Sequence, residues 1–221
     1  MGRHENSKSL KRSSDTPSNQ TELPFAADTP AHRTVRRLPQ SAELPEGLVY
    51  LSDFLDESEH RALIKHVEAL EFHPFEFQGY KAKRRIVEYG FEYDFSTRKA
   101  SPAGSIPDFL VPLRERAAKF ANLGASELTE ALVTEYPAGA AIGWHRDVPQ
   151  FEIVIGISLG SSCRMRFKPM KGGKISWLEL APGSAYLMRG AARWQYQHSI
   201  PAVKELRYSI TFRSLRKKEK S

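Results

Sequence analysis

The spacing of hydrophobic positions changes twice along the chain. Residues 1 to about 44 are polar and interrupted by proline, and they lack the spaced apolar residues that could bury one face, so we expect a disordered basic tail. Apolar positions then recur at helical intervals in two segments. After Gly124 they follow the pattern of short strands separated by turn residues. The pattern predicts one domain over residues 45–216 and a basic C-terminal tail at 217–221.

Two helices and a short strand are expected in the first part of this domain. The strand lies at 47–51. Asp56 and Glu59 stand three residues apart after it and can cap the start of a helix reciprocally. A second helix is expected over about 107–123, with proline near its start and Gly124 just past its end, where a permissive residue stops a helix at little cost. The apolar face expected for the first helix is formed by Ala62, Leu63, Val67 and Leu70.

The second part of the domain reads as short strands. Strands are expected at 151–159, 164–167, 175–180, 185–189 and 206–213. The last of them alternates strictly, with one apolar row (Leu206, Tyr208, Ile210 and Phe212) and one polar row (Arg207, Ser209, Thr211 and Arg213). Two helices ahead of many short antiparallel strands predict an α+β, mainly β fold: a sandwich or open barrel with the helices packed on one outer sheet.

Composition narrows the class of protein. A chain of 221 residues is long enough for one well-buried domain. Its net charge of +7 favours a polyanionic partner such as nucleic acid, although a merely basic soluble protein would show the same charge. The single cysteine, Cys163, cannot form an internal disulfide, which suits a reducing compartment. We expect a monomer without a membrane segment, cytoplasmic, or nuclear if the source is a eukaryote.

Three side chains are candidate ligands for a metal that keeps free coordination positions. His145 and Asp147 are two residues apart, so an extended backbone directs both to the same side. His198 follows 51 residues after Asp147, at the end of a stretch from Trp194 that is also expected to be extended. Two imidazoles and one carboxylate on one face of a metal leave the opposite face free, which lets iron(II) take a bidentate cosubstrate and then oxygen. His-x-Asp alone is a short pattern that a solvated pair would also produce, so its context decides.

That context is the polar row of the last strand. An arginine that faces the interior of a barrel is costly unless an anion pairs with it, so Arg207 requires an anionic partner. A dicarboxylic cosubstrate can supply one. Its far carboxylate matches the planar guanidinium of Arg207, while its oxoacid end chelates the metal.

These residues together resemble the signature of the AlkB family of nucleic-acid dioxygenases. The resemblance covers roughly residues 45–216 and is carried by Thr134-x-Tyr136-Pro-x-Gly, His145-x-Asp147, His198 and Arg207-Tyr-Ser-x-Thr-Phe-Arg213. It implies a double-stranded β-helix (jelly roll), iron(II), O2, and 2-oxoglutarate held at its outer carboxylate by Tyr136 and Arg207. It also implies that Arg213 lies near the metal end of the cosubstrate. Thr134 and Ser209 stand where the family often has asparagine, and both keep hydrogen-bonding capacity at the cosubstrate site.

The resemblance further implies oxidative removal of alkyl groups from bases of DNA or RNA, as in DNA repair or RNA demethylation. The alkyl carbon is hydroxylated and leaves as an aldehyde, with succinate and carbon dioxide as coproducts. Family members that act on adenine and cytosine usually carry a carboxylate two residues after the metal aspartate, where this chain has Pro149. Hydroxylation or demethylation of a modified tRNA nucleoside, or of a protein side chain, therefore stays open. A binding module without turnover is the third alternative, against which the intact triad argues.

A segment over about 72–100 is rich in aromatic and basic residues and resembles the family's lid of hairpins over the active site. An enzyme that takes a base out of its stack needs aromatic faces and phosphate contacts beside its pocket. The candidate substrate residues are Arg84, Arg85, Tyr89, Phe91 and Tyr93. The alternative is that the aromatic residues only pack on the core and that the basic run is a solvated loop.

Overall fold

Thirteen strands and three helices follow one another in the part of the chain that the computed structural model describes, which is residues 43–77, 80–94, 99–102 and 104–217. The predicted tails at 1–44 and 217–221 lie almost wholly outside these ranges. The elements are β1 (Leu48–Leu51), α1 (Glu57–Glu68), β2 (His73–Phe77), β3 (Tyr80–Tyr89), β4 (Phe91–Asp94), β5 (Lys99–Pro102), α2 (Val111–Ala121), β6 (Leu128–Tyr136), β7 (Ile142–His145), β8 (Phe151–Gly160), β9 (Cys163–Pro169), β10 (Ser176–Leu180), β11 (Ala185–Met188), α3 (Gly190–Trp194), β12 (Tyr196–Ile200) and β13 (Arg207–Leu215).

The strands form two facing sheets and a separate hairpin. The major sheet has the order β1-β11-β8-β13-β6-β3-β2, and the minor sheet has the order β10-β9-β12-β7. Strands β4 and β5 pair only with each other. The pairings are antiparallel, and most neighbours in a sheet are distant in sequence, as in a double-stranded β-helix. The prediction of a mainly β jelly roll is confirmed.

Helices α1 and α2 cover the outer face of the major sheet, as predicted. The start of α1 is capped reciprocally, since Asp56 accepts from the Glu59 backbone N–H and the Glu59 carboxylate accepts from that of Asp56, both at 2.8 Å. Leu63 of α1 and Leu113 of α2 are fully buried in one cluster with the apolar row of β13. None of the helices in the described ranges is long and apolar enough to cross a bilayer.

Three local expectations were wrong. Helix α2 ends at Ala121, and the residue that terminates it is Asn122 in the left-handed conformation (φ 63°), not Gly124, whose φ is −74°. Asparagine tolerates this conformation because its short polar side chain can bond locally. Trp194 closes the short helix α3 and so is not extended. Leu206 precedes β13 and is 45% exposed, so the apolar row begins at Tyr208.

Strand β13 is paired on both edges, and it is buried on both faces because helices cover one face of the major sheet and the minor sheet lies against the other. Its apolar row packs under the helices. Its polar row points between the two sheets, where Arg207, Ser209 and Thr211 are all less than 7% exposed. The predicted alternation is confirmed, and it directs a row of polar groups into the interior of the barrel.

Candidate active site

Two histidines lie side by side on adjacent strands of the minor sheet. His145 is the last residue of β7, and its direct cross-strand partner is His198 of β12. The two ring centroids are 4.2 Å apart. Nδ1 of His145 lies 2.9 Å from the carbonyl oxygen of Gly143, to which it donates as the neutral tautomer. That bond leaves Nε2 of His145 with a free lone pair, the state that a metal ligand requires.

Asp147 lies beside the two rings, but strand alternation does not put it there. Strand β7 ends at His145, so Asp147 belongs to the loop that follows. Its Oδ2 is 3.5 Å from Nε2 of His198 and has no hydrogen-bond partner among the described residues. The paired strand therefore covers the expected extended segment only as far as His145, and the predicted proximity of the three side chains is found.

Arg193 holds the loop that carries Asp147. Its side chain is buried, and Nη2 donates to the backbone carbonyls of Asp147 (3.1 Å), Val148 (2.7 Å) and Phe151 (2.8 Å). Three backbone carbonyls thus converge on one guanidinium, and that of Val148 also accepts from the backbone N–H of Phe151 at 3.2 Å. Arg193 fixes the position of the aspartate through its backbone.

Replacing Arg193 by lysine is expected to loosen this loop while keeping the charge. An ammonium group cannot reproduce the reach of the planar guanidinium, so at least one buried carbonyl loses its donor, at a cost of about 1–3 kcal/mol in the free energy of unfolding. Apparent iron(II) affinity, measured by titration of 2-oxoglutarate turnover, should fall roughly tenfold or more. Unchanged affinity and unchanged thermal stability would remove Arg193 from this role. Lys204→Arg, an exposed change, serves as the control.

Arg213 joins Asp147 to a second buried acid. Its Nε and Nη2 donate to Oδ1 of Asp147 (3.1 and 2.9 Å), and its Nη1 donates to both carboxylate oxygens of Glu130 (2.8 Å each). Burial would raise the pKa of Asp147, but Arg213, His198 and His145 outweigh it and hold that pKa well below its usual range. Burial raises the pKa of Glu130, against the opposing effect of Arg213. Asp147 is therefore ionised and has one oxygen, Oδ2, free of hydrogen bonds.

Both imidazoles are kept neutral. Burial lowers the pKa of His198 to about 3, with a further contribution from His145. Burial also lowers the pKa of His145. Because a metal binds the neutral imidazole and the ionised carboxylate, these protonation states suit the capture of a divalent cation at neutral pH.

The donor set fits a metal that keeps open positions. Among the described residues no three acidic, histidine or cysteine side chains are already closed into ligand geometry around one point. Capture of an ion by His145, Asp147 and His198 therefore requires these side chains to rearrange around it. Two nitrogens and one oxygen on adjacent elements match the facial arrangement that non-haem iron(II) oxygenases use.

The other end of the interior is built to hold an anion. Arg207 is 1% exposed, and among the described residues its Nε and Nη1 have no hydrogen-bond partner. Its guanidinium lies 4.9 Å from the ring centroid of Tyr136, which is also its cross-strand partner. Ser209 and Thr134 form the next pair along the same two strands. A buried cation with two unsatisfied donor nitrogens is costly, so a carboxylate fits this position.

A cavity of about 430 Å³ lies between the sheets, a size that falls among small-ligand sites, roughly 300–1,000 Å³. Arg207 itself is not among its lining residues, although its neighbour Tyr136 is. The metal candidates, Thr134, Tyr136, Ser209 and Arg213 all line it. Tyr186 forms part of the wall, and it lies flat over Gly156, where an added Cβ would meet its ring at 2.3 Å. Glycine is needed here because the tyrosine ring occupies the space of a side chain.

The predicted lid residues divide between the two faces of the major sheet. Arg84 lines the cavity, and its guanidinium lies 3.8 Å from the ring centroid of Phe75. Arg85 points to the opposite face, where it pairs with Glu135 at 2.7 Å, and Tyr89 packs against the helix-covered core. Phe91 lies on the β4–β5 hairpin, and the side chain of Tyr93 lies outside the described residues. Of the five, Arg84 is brought into the cavity.

Several residues of the site were not predicted from sequence. Glu130 and Thr134 share one face of β6, so the alternation that identified Thr134 also contained a signal for Glu130. The same alternation on β3 directs Ile86 and Glu88 inward with Arg84. Arg193 and Gly156 had no such signal, since their roles depend on contacts between distant segments.

Comparisons with known proteins agree with this architecture. The chain matches the model of the 2OG-Fe(II) oxygenase superfamily over residues 47–213. It is 30% identical over 181 residues to the Alkylated DNA repair protein ALKBH8 homolog of Arabidopsis thaliana, covering 70% of this chain and 51% of that protein. It is 25% identical over 168 residues to the tRNA (carboxymethyluridine(34)-5-O)-methyltransferase alkbh8 of Xenopus tropicalis, covering 72% of this chain and 26% of that protein. The chain thus spans about half and about a quarter of these relatives.

Solved structures show the same fold at lower identity. OsALKBH1 superposes with a TM-score of 0.63 at 19% identity, covering 80% of this chain and all of that one. A prolyl-4-hydroxylase of Pseudomonas putida superposes with a TM-score of 0.58 at 14% identity, covering 77% and 93%. The family implies iron(II), 2-oxoglutarate and O2 as cofactor and cosubstrates. The chain belongs to the 2OG-Fe(II) oxygenase superfamily, and it is similar to AlkB homologues in sequence and in fold.

Proposed function

We propose that this protein is an iron(II)- and 2-oxoglutarate-dependent dioxygenase that removes alkyl groups from bases of nucleic acid, with His145, Asp147 and His198 as the iron ligands. When bound, iron(II) and 2-oxoglutarate would supply the oxidation, in which one atom of O2 would enter succinate, the other would hydroxylate the alkyl carbon, and carbon dioxide would be lost. A hydroxyalkyl group on a base nitrogen then leaves as an aldehyde. The protein's part is to hold the base beside the metal and to keep the cosubstrate oriented.

Within the proposed site, Arg207 and Tyr136 bind the outer carboxylate of 2-oxoglutarate, and Thr134 and Ser209 are the neighbouring hydrogen-bonding groups. The assignment is supported by the two guanidinium nitrogens of Arg207, Nε and Nη1, that have no partner among the described residues. Arg213 keeps Asp147 ionised and oriented toward the metal through two hydrogen bonds. The buried charge of Glu130 offsets that of Arg213, which makes the buried arginine tolerable.

The observation that carries the substrate class is the pairing of Arg84 with Phe75 at the cavity. A guanidinium 3.8 Å from an aromatic ring, both lining the space that contains the metal candidates, offers a cation and a stacking surface. The pKa of His145 is lowered mainly by burial, and the nearby charge of Arg84 contributes in the same direction. An extruded base with its adjoining phosphate needs both kinds of contact. The net charge of +7 points the same way.

A modified tRNA nucleoside is the second candidate substrate. Pro149 replaces the carboxylate that the resemblance associates with adenine and cytosine, and one relative is named for a reaction on tRNA uridine. Hydroxylation of a protein side chain has only the fold in its favour, since the prolyl hydroxylases are 14% identical.

The test supplies iron(II) and 2-oxoglutarate with methylated DNA oligonucleotides, methylated RNA oligonucleotides or bulk tRNA, and measures succinate and formaldehyde. Arg84→Ala should lower kcat/KM for the nucleic acid roughly tenfold or more, about 1.4 kcal/mol, while uncoupled 2-oxoglutarate turnover persists. Lys83→Ala removes an exposed neighbouring cation of the same strand and should change little.

The outcomes separate the two candidates. Formaldehyde from methylated oligonucleotides supports dealkylation, whereas a hydroxylated tRNA nucleoside without formaldehyde supports the second candidate. If 2-oxoglutarate is consumed but no nucleic acid changes, both substrate proposals fail and the iron assignment survives. Equal effects of Arg84→Ala and Lys83→Ala would remove Arg84 from the substrate surface.

A further inference from the structure

The outer face of the minor sheet carries a row of cations. Cys163, Met165 and Phe167 of β9 are buried against the cavity side, so the residues between them face outward. These outward residues are Arg164, Arg166 and Lys168. The exposed turn between β9 and β10 adds Lys171 and Lys174. We call these five cations the basic strip.

Indole rings, rather than carboxylates, support the cations of the strip. The guanidinium of Arg164 lies 4.1 Å from the ring centroid of Trp177. Arg166 and Lys168 both lie 4.9 Å from the ring centroid of Trp144. A cation over a ring is held in place by the quadrupole of the ring, but its charge is not neutralised. The strip is therefore ordered and still positively charged.

Little negative charge offsets the strip. All four strands of the minor sheet are described, and the one carboxylate on their outer face is Glu179, the cross-strand partner of Arg164. Five cations against one acid leave a net excess of four positive charges on a surface exposed to solvent. Like charges this close repel one another, so a polyanion that bridges them is favoured.

We propose that the basic strip binds the phosphate backbone of the nucleic-acid strand that flanks the target base. The proposal rests on the proposed function for the base itself. Trp144 connects the basic strip to the active site, because it lines the cavity, precedes His145, and supports two cations of the strip. Side chains on one face of a strand recur about every 6.6 Å. Repeated charges at such an interval suit a repeated anion such as a phosphate backbone better than a single anionic group.

Binding of an unmodified single-stranded RNA oligonucleotide, labelled with a fluorophore and followed by anisotropy over a salt series, tests the strip. The double variant Arg164→Gln/Lys168→Gln removes two cations of the strip. Neither side chain makes a hydrogen bond to another described residue, so the sheet should stay intact. Loss of two phosphate contacts should reduce the slope of log K against log salt by about 1.4 and weaken binding several-fold at low salt. The matched control, Lys65→Gln/Lys119→Gln, removes two exposed cations from the helices on the other sheet and should leave the slope unchanged.

Equal changes of the salt slope in both double variants, or an unchanged slope in Arg164→Gln/Lys168→Gln, would overturn the proposal that the basic strip binds the phosphate backbone. Preferential binding of polyglutamate over the oligonucleotide would overturn it in favour of an acidic protein partner. Uncoupled 2-oxoglutarate turnover at the native rate in both variants verifies that the fold and the iron site are intact. Binding is measured without iron and on an unmodified strand. The proposal for the basic strip and the proposal of dealkylation are therefore tested independently, and either one can be refuted without the other.

Discussion

Replacing His145 by alanine is expected to abolish the oxidation of 2-oxoglutarate. The variant loses one of two neutral imidazoles that face each other at 4.2 Å, and it leaves the metal with His198 and Asp147 alone. Since even the outer partners of metal ligands contribute roughly 10–100-fold to affinity or activity, loss of a ligand should lower succinate release by at least about a hundredfold. Succinate is measured with saturating iron(II) and 2-oxoglutarate.

His73→Ala is the matched control, because His73 is an exposed histidine of β2 and is not one of the residues that line the cavity. It should retain native turnover. Asp147→Asn should behave as His145→Ala does, and it keeps the shape of the side chain beside Arg213. Turnover that survives either substitution at the site would refute the triad, and equal loss in His73→Ala would point to general damage.

Replacing Arg207 by methionine is expected to weaken cosubstrate binding without lowering the stability of the fold. Breaking a buried charge pair costs about 3–5 kcal/mol, so the KM for 2-oxoglutarate should rise more than about a hundredfold. Without cosubstrate, the variant should be as stable as the native protein or more so. The reason is that the substitution removes a buried cation whose Nε and Nη1 have no partner among the described residues.

Thermal unfolding with and without 2-oxoglutarate measures both effects. At about 100 times the dissociation constant, the cosubstrate should stabilise the native protein by about 2.7 kcal/mol, and this gain should disappear in Arg207→Met. Arg189→Met changes an exposed arginine and should leave both quantities unchanged. A large loss of stability in cosubstrate-free Arg207→Met, with an unchanged KM, would show that Arg207 is structural.

The sequence predicted those parts of the site that depend on the alternation of side chains between the two faces of a strand. Arg207, Ser209 and Arg213 alternate with apolar residues, and the structure directs them into the interior. His145 and His198 were placed by the same reasoning and are cross-strand partners. The capping pair Asp56 and Glu59 was readable because both contacts lie within three residues. Local periodicity and short-range bonding are therefore sufficient for these features.

The remainder depends on contacts between distant segments. Asp147 was expected on an extended strand, but a loop held by Arg193, 46 residues later, positions it. Arg85 was grouped with Arg84 by composition, although neighbours on a strand face opposite ways and Glu135 pairs with Arg85. The buried acid Glu130 was missed because its partner Arg213 lies 83 residues away. No spacing rule carries information over such intervals.

The most direct test of the account is the anaerobic addition of 2-oxoglutarate to the iron(II)-loaded protein, followed by visible absorption. Chelation of iron(II) by a 2-oxoacid produces a charge-transfer band, whereas succinate, which lacks the oxo group, produces none. The account predicts a saturable band for the native protein, no band for His145→Ala, and a band for Arg207→Met only at much higher 2-oxoglutarate. Absence of the band from the iron-loaded native protein, or its persistence in His145→Ala, would contradict it.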